Sequence, residues 1–280
     1  MKGIKKVATI NDLSGIGRCS LTAAMPILSA LGVQCCPFPT AILSSQTEFD
    51  NFTFLDITSE MKSYKKAWNL LNLNFDCIYS GFLGSEEQIN IVLDFAREHK
   101  ESLIVIDPVM GDNGIIYDTY TENMCNKMKE LISIADIATP NLTEACILTG
   151  NQYNKYNMSD ESILNIAKDI SKLGPSKVII TGIIKENSIY NFAYNKSNNE
   201  FFIVKSEFNN ESYSGTGDIF TSVVIGLLLN NHDFKFSIEK ATEFIYNAIQ
   251  YTTKFKTNPK EGVIFELFLK ELILINENKY

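Results

Sequence analysis

Ser214-Gly215-Thr216-Gly217-Asp218 leads without a break into the apolar run Ile219-Phe220-Thr221-Ser222-Val223-Val224-Ile225-Gly226-Leu227-Leu228-Leu229. The run reads as a buried helix, so the two glycines stand at a helix N-terminus. Glycine lets successive backbone N–H groups turn the same way, and the helix end adds partial positive charge. Together they form a pocket for an anion such as phosphate. An aspartate at the mouth of that pocket repels an anion and is a poor choice for binding alone. It fits a general base that takes a proton from a hydroxyl attacking the phosphate. The plainer alternative is a glycine-rich turn with Asp218 as an ordinary first-turn acid, and a short glycine motif does not decide between the two.

Away from this stretch, short apolar runs alternate with longer amphipathic ones. Strands are predicted over 7–10, 33–38, 75–79, 103–106, 137–138 and 177–181. Helices are predicted over 19–31, 59–71, 85–99, 121–134, 141–148, 159–173, 217–230 and 237–255. Ser85 with Gln88 three residues on has the form of a capping box, and Gly150 ends the helix that starts at Asn141. Residues 189–194 and 200–204 flank a polar stretch as a hairpin. This alternation predicts an α/β fold with a mostly parallel sheet and helices on both faces. No Pro-, Gly- or Ser-rich linker divides residues 1–280, and one domain is expected. Residues 44–56 are polar, aromatic and weakly periodic, which suits a flap rather than a core.

Open parallel sheets bind ligands beyond the carboxyl ends of their strands. The loops after the predicted strands carry the chemistry. In Asn11-Asp12-Leu13-Ser14-Gly15-Ile16-Gly17-Arg18, the glycines allow close approach, and Asn11 and Asp12 offer hydrogen bonds to a small polar ligand. The alternative there is a plain turn with Ser14 capping the next helix. In Pro37-Phe38-Pro39-Thr40, stiff prolines hold Thr40 in place, with Ser44, Ser45, Gln46 and Thr47 beyond. Tyr79-Ser80-Gly81-Phe82-Leu83-Gly84-Ser85 reads as a close-packed turn into a helix. Asp107 ends an apolar strand, with Asp112 near it, where metal or phosphate would bind. In Thr139-Pro140-Asn141-Leu142-Thr143-Glu144, Pro140 fits a helix start, and Asn141 and Glu144 share one helix face. An amide and a carboxylate so placed suit Mg²⁺ held through its waters, or simple capping.

Composition removes other classes. The net charge is −8 and no long basic run occurs, which argues against nucleic acid as a partner. Cys19, Cys35, Cys36, Cys77, Cys125 and Cys146 form no Cys-x-x-Cys pair and read as small buried hydrophobes in a reducing cytosol. No apolar run approaches the ~20 residues of a membrane span. The basic start turns polar at Asn11-Asp12, unlike a secretory signal. A soluble cytoplasmic protein is expected. The two histidines, His99 and His232, lie among polar residues and are expected to be exposed, which leaves a carboxylate as the base.

On these residues the chain resembles the ribokinase-like superfamily and, within it, the pyridoxal (vitamin B6) kinases. Gly215-Thr216-Gly217-Asp218 is similar to the superfamily's anion hole and catalytic aspartate, and Asn141-Leu142-Thr143-Glu144 to its Asn-x-x-Glu motif. Asp107-Pro108-Val109-Met110-Gly111, Ser80-Gly81-Phe82-Leu83-Gly84-Ser85 and Pro39-Thr40 look like segments of the B6-kinase branch. The resemblance implies a three-layer sandwich with a small flap over the site. It implies that Asp218 deprotonates the 5′-hydroxymethyl group of the vitamin while N–H groups of Gly215, Thr216 and Gly217 stabilise the phosphoryl group. Ser214, Asp107, Asn141, Glu144, Thr181 and Gly182 would surround ATP, with Asp107 and Glu144 nearest Mg²⁺ through water. Asn11, Thr40, Gln46 and Ser80 would line the vitamin pocket. A homodimer and a monovalent cation such as K⁺ are further implications. Asn11-Asp12 and Ser44-Ser45-Gln46-Thr47 depart from residues common in the branch, so recognition of the acceptor ring stays open. A hydroxymethylpyrimidine kinase of thiamine synthesis shares every phosphate-handling motif. A sugar or nucleoside kinase and a silent nucleotide- or B6-binding protein are more distant alternatives.

Overall fold

The computed structural model describes residues 3–154 and 158–277. Their contacts gather into two compact units, one within Met1–Cys77 and Asn209–Tyr280, the other Ile78–Phe208.

The first unit begins with β1 (Lys6–Ser14), α1 (Ser20–Ala30), β2 (Gln34–Leu43), β3 (Phe54–Asp56) and α2 (Thr58–Leu70). β1 and β2 run parallel, and β3 lies antiparallel on β2. Both parallel strands are longer than predicted. The ladder pairs Asn11 with Pro39 and Leu13 with Ile42, so Thr40 and Ala41 together oppose the single residue Asp12. This bulge keeps Asn11, Asp12 and Thr40 inside the strands, where the sequence suggested loops, and bends the chain toward the strand ends. The flap stretch 44–56 contributes β3, whose three residues are all exposed.

The second unit opens in β4 (Cys77–Ser80) and continues with α3 (Glu86–Glu98), β5 (Leu103–Ile106), the hairpin of β6 (Gly111–Asp112) and β7 (Ile115–Ile116), α4 (Glu122–Ile132), β8 (Ile137–Ala138), α5 (Leu142–Thr149), α6 (Asp160–Leu173), β9 (Lys177–Lys185), β10 (Ser188–Asn195) and β11 (Glu200–Glu207). Its strand order is β4-β5-β8-β9-β10-β11. β5, β8 and β9 are parallel, and β9, β10 and β11 form an antiparallel meander. α3 shows why the helices pack as they do. Ile89, Val92, Leu93 and Ala96 fall on one face at helical spacing and are buried. Burying a Leu- or Ile-sized side chain stabilises by about 1.5–3 kcal/mol.

The chain then returns to the first unit with α7 (Thr216–Leu229), α8 (Phe234–Thr252), 3-10 turns at Pro259–Glu261 and Glu266–Phe268, and α9 (Leu269–Glu277). α7 is apolar all round, and every residue from Ile219 to Leu227 is buried, with α1 and α8 against it. The architecture is the expected α/β one, mostly parallel strands covered by helices.

The sequence reading missed the β6–β7 hairpin, the 3-10 turns and α9. The hairpin did carry a signal. Asn113-Gly114, with φ of +51° and +82°, is the Asn-Gly pair favoured in two-residue turns. The histidines also differ from expectation: His99 packs edge-on against Phe95 at 4.6 Å and His232 stacks on Phe236 at 4.8 Å, so both are half-buried. No helix among the described residues is long and apolar enough to cross a membrane.

Candidate active site

In the first unit the site is built where β1 ends, α1 starts and α7 starts. Gly215 is the N-cap of α7 at φ +79°. A Cβ there would collide with the Arg18 carbonyl and the Cβ of Cys19, so only glycine fits. The first bond of the α7 ladder runs from Ile219 N to Gly215 O at 3.1 Å. The N–H groups of Thr216, Gly217 and Asp218 precede it and have no acceptor within the helix. The predicted anion pocket falls on this helix start, where Gly217 is exposed.

Asp218 is the third residue of α7 and receives a donor on each oxygen. Asn11 Nδ2 donates to Oδ1 at 2.9 Å, and the Ser20 backbone N–H donates to Oδ2 at 2.8 Å. Asn11 is thus brought to the aspartate itself. Asp12 beside it faces the other way. Its Oδ1 accepts the Ser20 hydroxyl at 2.5 Å and its Oδ2 the Ser14 hydroxyl at 2.7 Å. Ser14 therefore serves Asp12, and α1 has no side-chain cap. Burial pushes Asp12 above the ordinary carboxylate value, and the two hydroxyl donors oppose that rise. Burial, then the charges of Asp218 and Asp12, push the Cys19 thiol up. Burial pushes the Cys35 thiol up to about 11, and all six cysteines are unpaired.

Gln46 sits next to Ser214, with Nε2 3.4 Å from its Oγ and donating to Lys260 O at 3.0 Å. Its Oε1 accepts the Glu48 N–H at 2.8 Å. The amide thus ties the flap stretch to the 259–261 turn. Thr40 is fully buried at the β1–β2 bulge. Ser20 is a residue that sequence reasoning passed over. It starts α1 at φ +49°, a conformation costing about 1–3 kcal/mol outside glycine, and nothing in the sequence signals it. Arg18 is a second: its N–H bonds Glu261 O at 3.0 Å and its Nε bonds Glu266 at 2.6 Å.

In the second unit, Asn141 and Glu144 form a complete capping box at the start of α5. Asn141 Oδ1 accepts the Glu144 N–H at 3.0 Å, and Glu144 Oε2 accepts the Asn141 N–H at 2.8 Å. Each also holds the β6 region: Glu144 Oε1 accepts Met110 N–H at 3.2 Å, and Asn141 Nδ2 donates to Gly111 O at 2.8 Å. Glu144 is held well above the ordinary range, first by burial and then by the charge of Asp107. Asp107 is itself buried, and its N–H bonds Ser80 O at 2.9 Å. Ser80 is buried with no partner for its hydroxyl. Thr181 bridges Asn141 in parallel fashion, so those two predicted nucleotide residues lie together. Gly182, at φ +69°, is exposed, and its N–H bonds Asn191 Oδ1 at 3.0 Å. Among the described residues no three His, Cys, Asp or Glu side chains gather as a metal cage.

The chain matches the phosphomethylpyrimidine kinase family over residues 21–263. It is 27% identical to a pyridoxal kinase of Dictyostelium discoideum, covering 98% of this chain and 96% of that protein. It is 25% identical to a hydroxymethylpyrimidine/phosphomethylpyrimidine kinase of Haemophilus influenzae, covering 90% of this chain and 93% of the other. Among solved structures, a Bacteroides thetaiotaomicron protein provisionally described as a phosphomethylpyrimidine kinase, in a crystal form with pyridoxal, superposes with a TM-score of 0.93. It is 40% identical and covers 96% of both chains.

Proposed function

This chain belongs to the phosphomethylpyrimidine kinase family, and we propose that within it the chain phosphorylates the 5′-hydroxymethyl group of a B6 vitamer (pyridoxal, pyridoxine or pyridoxamine) with ATP. The observation that carries the chemistry is the Asp218 carboxylate, held by Asn11 and Ser20 beside N–H groups left outside the α7 ladder. The acceptor hydroxyl loses its proton to Asp218 as its oxygen attacks the γ-phosphorus, and the bond from that phosphorus to the β–γ bridging oxygen breaks to release ADP. The N–H groups of Gly215, Thr216 and Gly217 face the charge that develops on the phosphoryl oxygens. Pyridoxal in the 40% identical Bacteroides structure and the Dictyostelium relative support a B6 acceptor.

The nucleotide falls to Ser214, Asp107, Asn141, Glu144, Thr181 and Gly182. Asp107 and Glu144 would hold Mg²⁺ through water, and the ion would neutralise charge between the phosphates. Glu144 spends both oxygens on backbone N–H groups, which supports an indirect role. Thr40, Gln46, Asn11 and Ser80 fall to the acceptor. A monovalent cation, a homodimer and a cytoplasmic setting complete the reading; six unpaired cysteines support a reducing compartment.

Hydroxymethylpyrimidine kinase activity is the second reading, favoured by the family match and the Haemophilus relative. ADP release from Mg-ATP, measured with the three B6 vitamers and hydroxymethylpyrimidine in parallel, separates them. Higher kcat/KM for a B6 vitamer is expected. A preference for the pyrimidine would move the acceptor and keep the mechanism. No turnover with any of the four would overturn both.

A further inference from the structure

Seven non-glycine residues among those described adopt positive φ. Six of them, Asn72, Asn113, Glu186, Asn199, Asn210 and Asn231, lie in turns, bends or just past a helix. Ser20 alone starts a helix, and it is a serine, which gains less from the left-handed region than asparagine does. Something must hold it there. Its hydroxyl donates to Asp12 Oδ1 at 2.5 Å, and Asp12 is pinned in turn by the Ser14 hydroxyl on Oδ2 at 2.7 Å. Asp12 is buried, with 6% of its surface exposed, and both its oxygens are engaged. In this conformation the Ser20 N–H lies 2.8 Å from Asp218 Oδ2. The chain of contacts runs from a β1 carboxylate, through a strained α1 residue, to the carboxylate on α7.

We propose that Asp12 and Ser20 are positioning residues, a tether that fixes the Asp218 carboxylate in the orientation from which it takes the acceptor's proton. This rests on the reading of Asp218 as the base. Asp12 then has no ligand to bind, although its place beside Asn11 suggests one. Asn11 fixes one oxygen of Asp218 and the tether fixes the other, so the carboxylate cannot rotate about its last bond. Positioning of this kind acts on turnover, because a displacement of about 1 Å at a reacting group costs on the order of 10²-fold in rate.

The test uses Ser20→Ala, Ser20→Gly, Asp12→Asn and the Ser20→Ala/Asp12→Asn pair. ADP release is followed with whichever acceptor the panel above selects, alongside thermal melts. Ser20→Ala and Ser20→Gly each keep the backbone N–H and lose the hydroxyl. Both are expected to lower kcat by about 10- to 100-fold, with KM for ATP within about twofold. The pair is expected to lose no more than the worse single variant, because both break one tether. Glycine adopts φ +49° without strain, so wild-type kcat in Ser20→Gly would overturn the tether. So would wild-type kcat in folded Ser20→Ala, or fully additive losses in the pair. Should Asp12→Asn fail to fold, the two Ser20 variants decide alone. Asp218→Asn is the control for the underlying reading: full turnover there removes the base, whereas a dead Asp218→Asn with active Ser20 variants removes the tether only.

Discussion

Glu144 and Asp218 occupy the same place in their helices, the third residue after the N-cap, and their oxygens meet different kinds of partner. Glu144 follows Asn141, a cap with a side chain, and its longer arm reaches back to the cap's own N–H. Its second oxygen takes the Met110 N–H, and the carboxylate is wholly consumed in holding backbone. Asp218 follows Gly215, which has no side chain to cap with, and α7 has no capping box. Its oxygens turn to Asn11 and Ser20, which lie on other elements, and its helix starts without a side-chain cap. A third-position acid in a complete box is spent on backbone and meets an ion only through water. The same acid after a glycine cap is available for chemistry. The difference lies in the cap, three residues earlier.

The largest effect that tests this contrast is on turnover. Asp218→Asn keeps the shape and removes the base, so kcat should fall by roughly 10²–10⁴-fold while ATP binding, followed by calorimetry, stays near wild type. Unchanged kcat would make Asp218 another structural acid and erase the distinction. The mirror experiment is Glu144→Ala, which strips the acceptor from two N–H groups near the core. Each unsatisfied group costs about 1–3 kcal/mol, so urea unfolding should show a loss of about 3 kcal/mol. Wild-type stability in that variant would break the contrast from the other side.

A smaller effect follows from pH. Burial, then the Asp107 charge, raise Glu144 in the folded chain. Stability from a raised carboxyl is complete below its unfolded value, about 4.3, and is lost as pH rises through the folded value. Glu144→Gln imitates the neutral form and lacks that loss. Its deficit in Tm relative to wild type should therefore shrink steadily above about pH 4.3; a constant deficit up to pH 8 would mean that Glu144 titrates normally. The smallest effect concerns α3, which supplies a third case. Ser85 caps the Gln88 N–H at 3.2 Å, while the Gln88 amide bonds Gly84 N–H at 2.8 Å instead of the cap. Ser85→Ala should cost about 1 kcal/mol of stability with kcat unchanged. A drop in kcat there would show that any broken cap disturbs catalysis.

Much of the fold was legible because hydrophobic periodicity and end signals are local. β5 and β8 fall on their predicted residues, and Ser159, Ser85 and Gly150 end helices as their chemistry requires. The missed elements had weaker local signals or were overruled. α9 has a poorly segregated apolar face, with Ile273 and Leu274 exposed. β1 and β2 run on through polar residues because a bulge lets Asp12 face two partners.

The sequence by itself determined the alternation of strand and helix, the glycine-capped helix start at Gly215 and the acid in its first turn. Those follow from properties of neighbouring residues: glycine's freedom, a helix end and an apolar run. Only the tertiary structure decided what each polar group is for. Asn11 meets an aspartate 207 residues away, Gln46 meets a carbonyl 214 residues away, and Ser20 is held in the left-handed region by Asp12. A hydrogen bond is set by distance in space, and the folded backbone alone brings such partners within 3 Å.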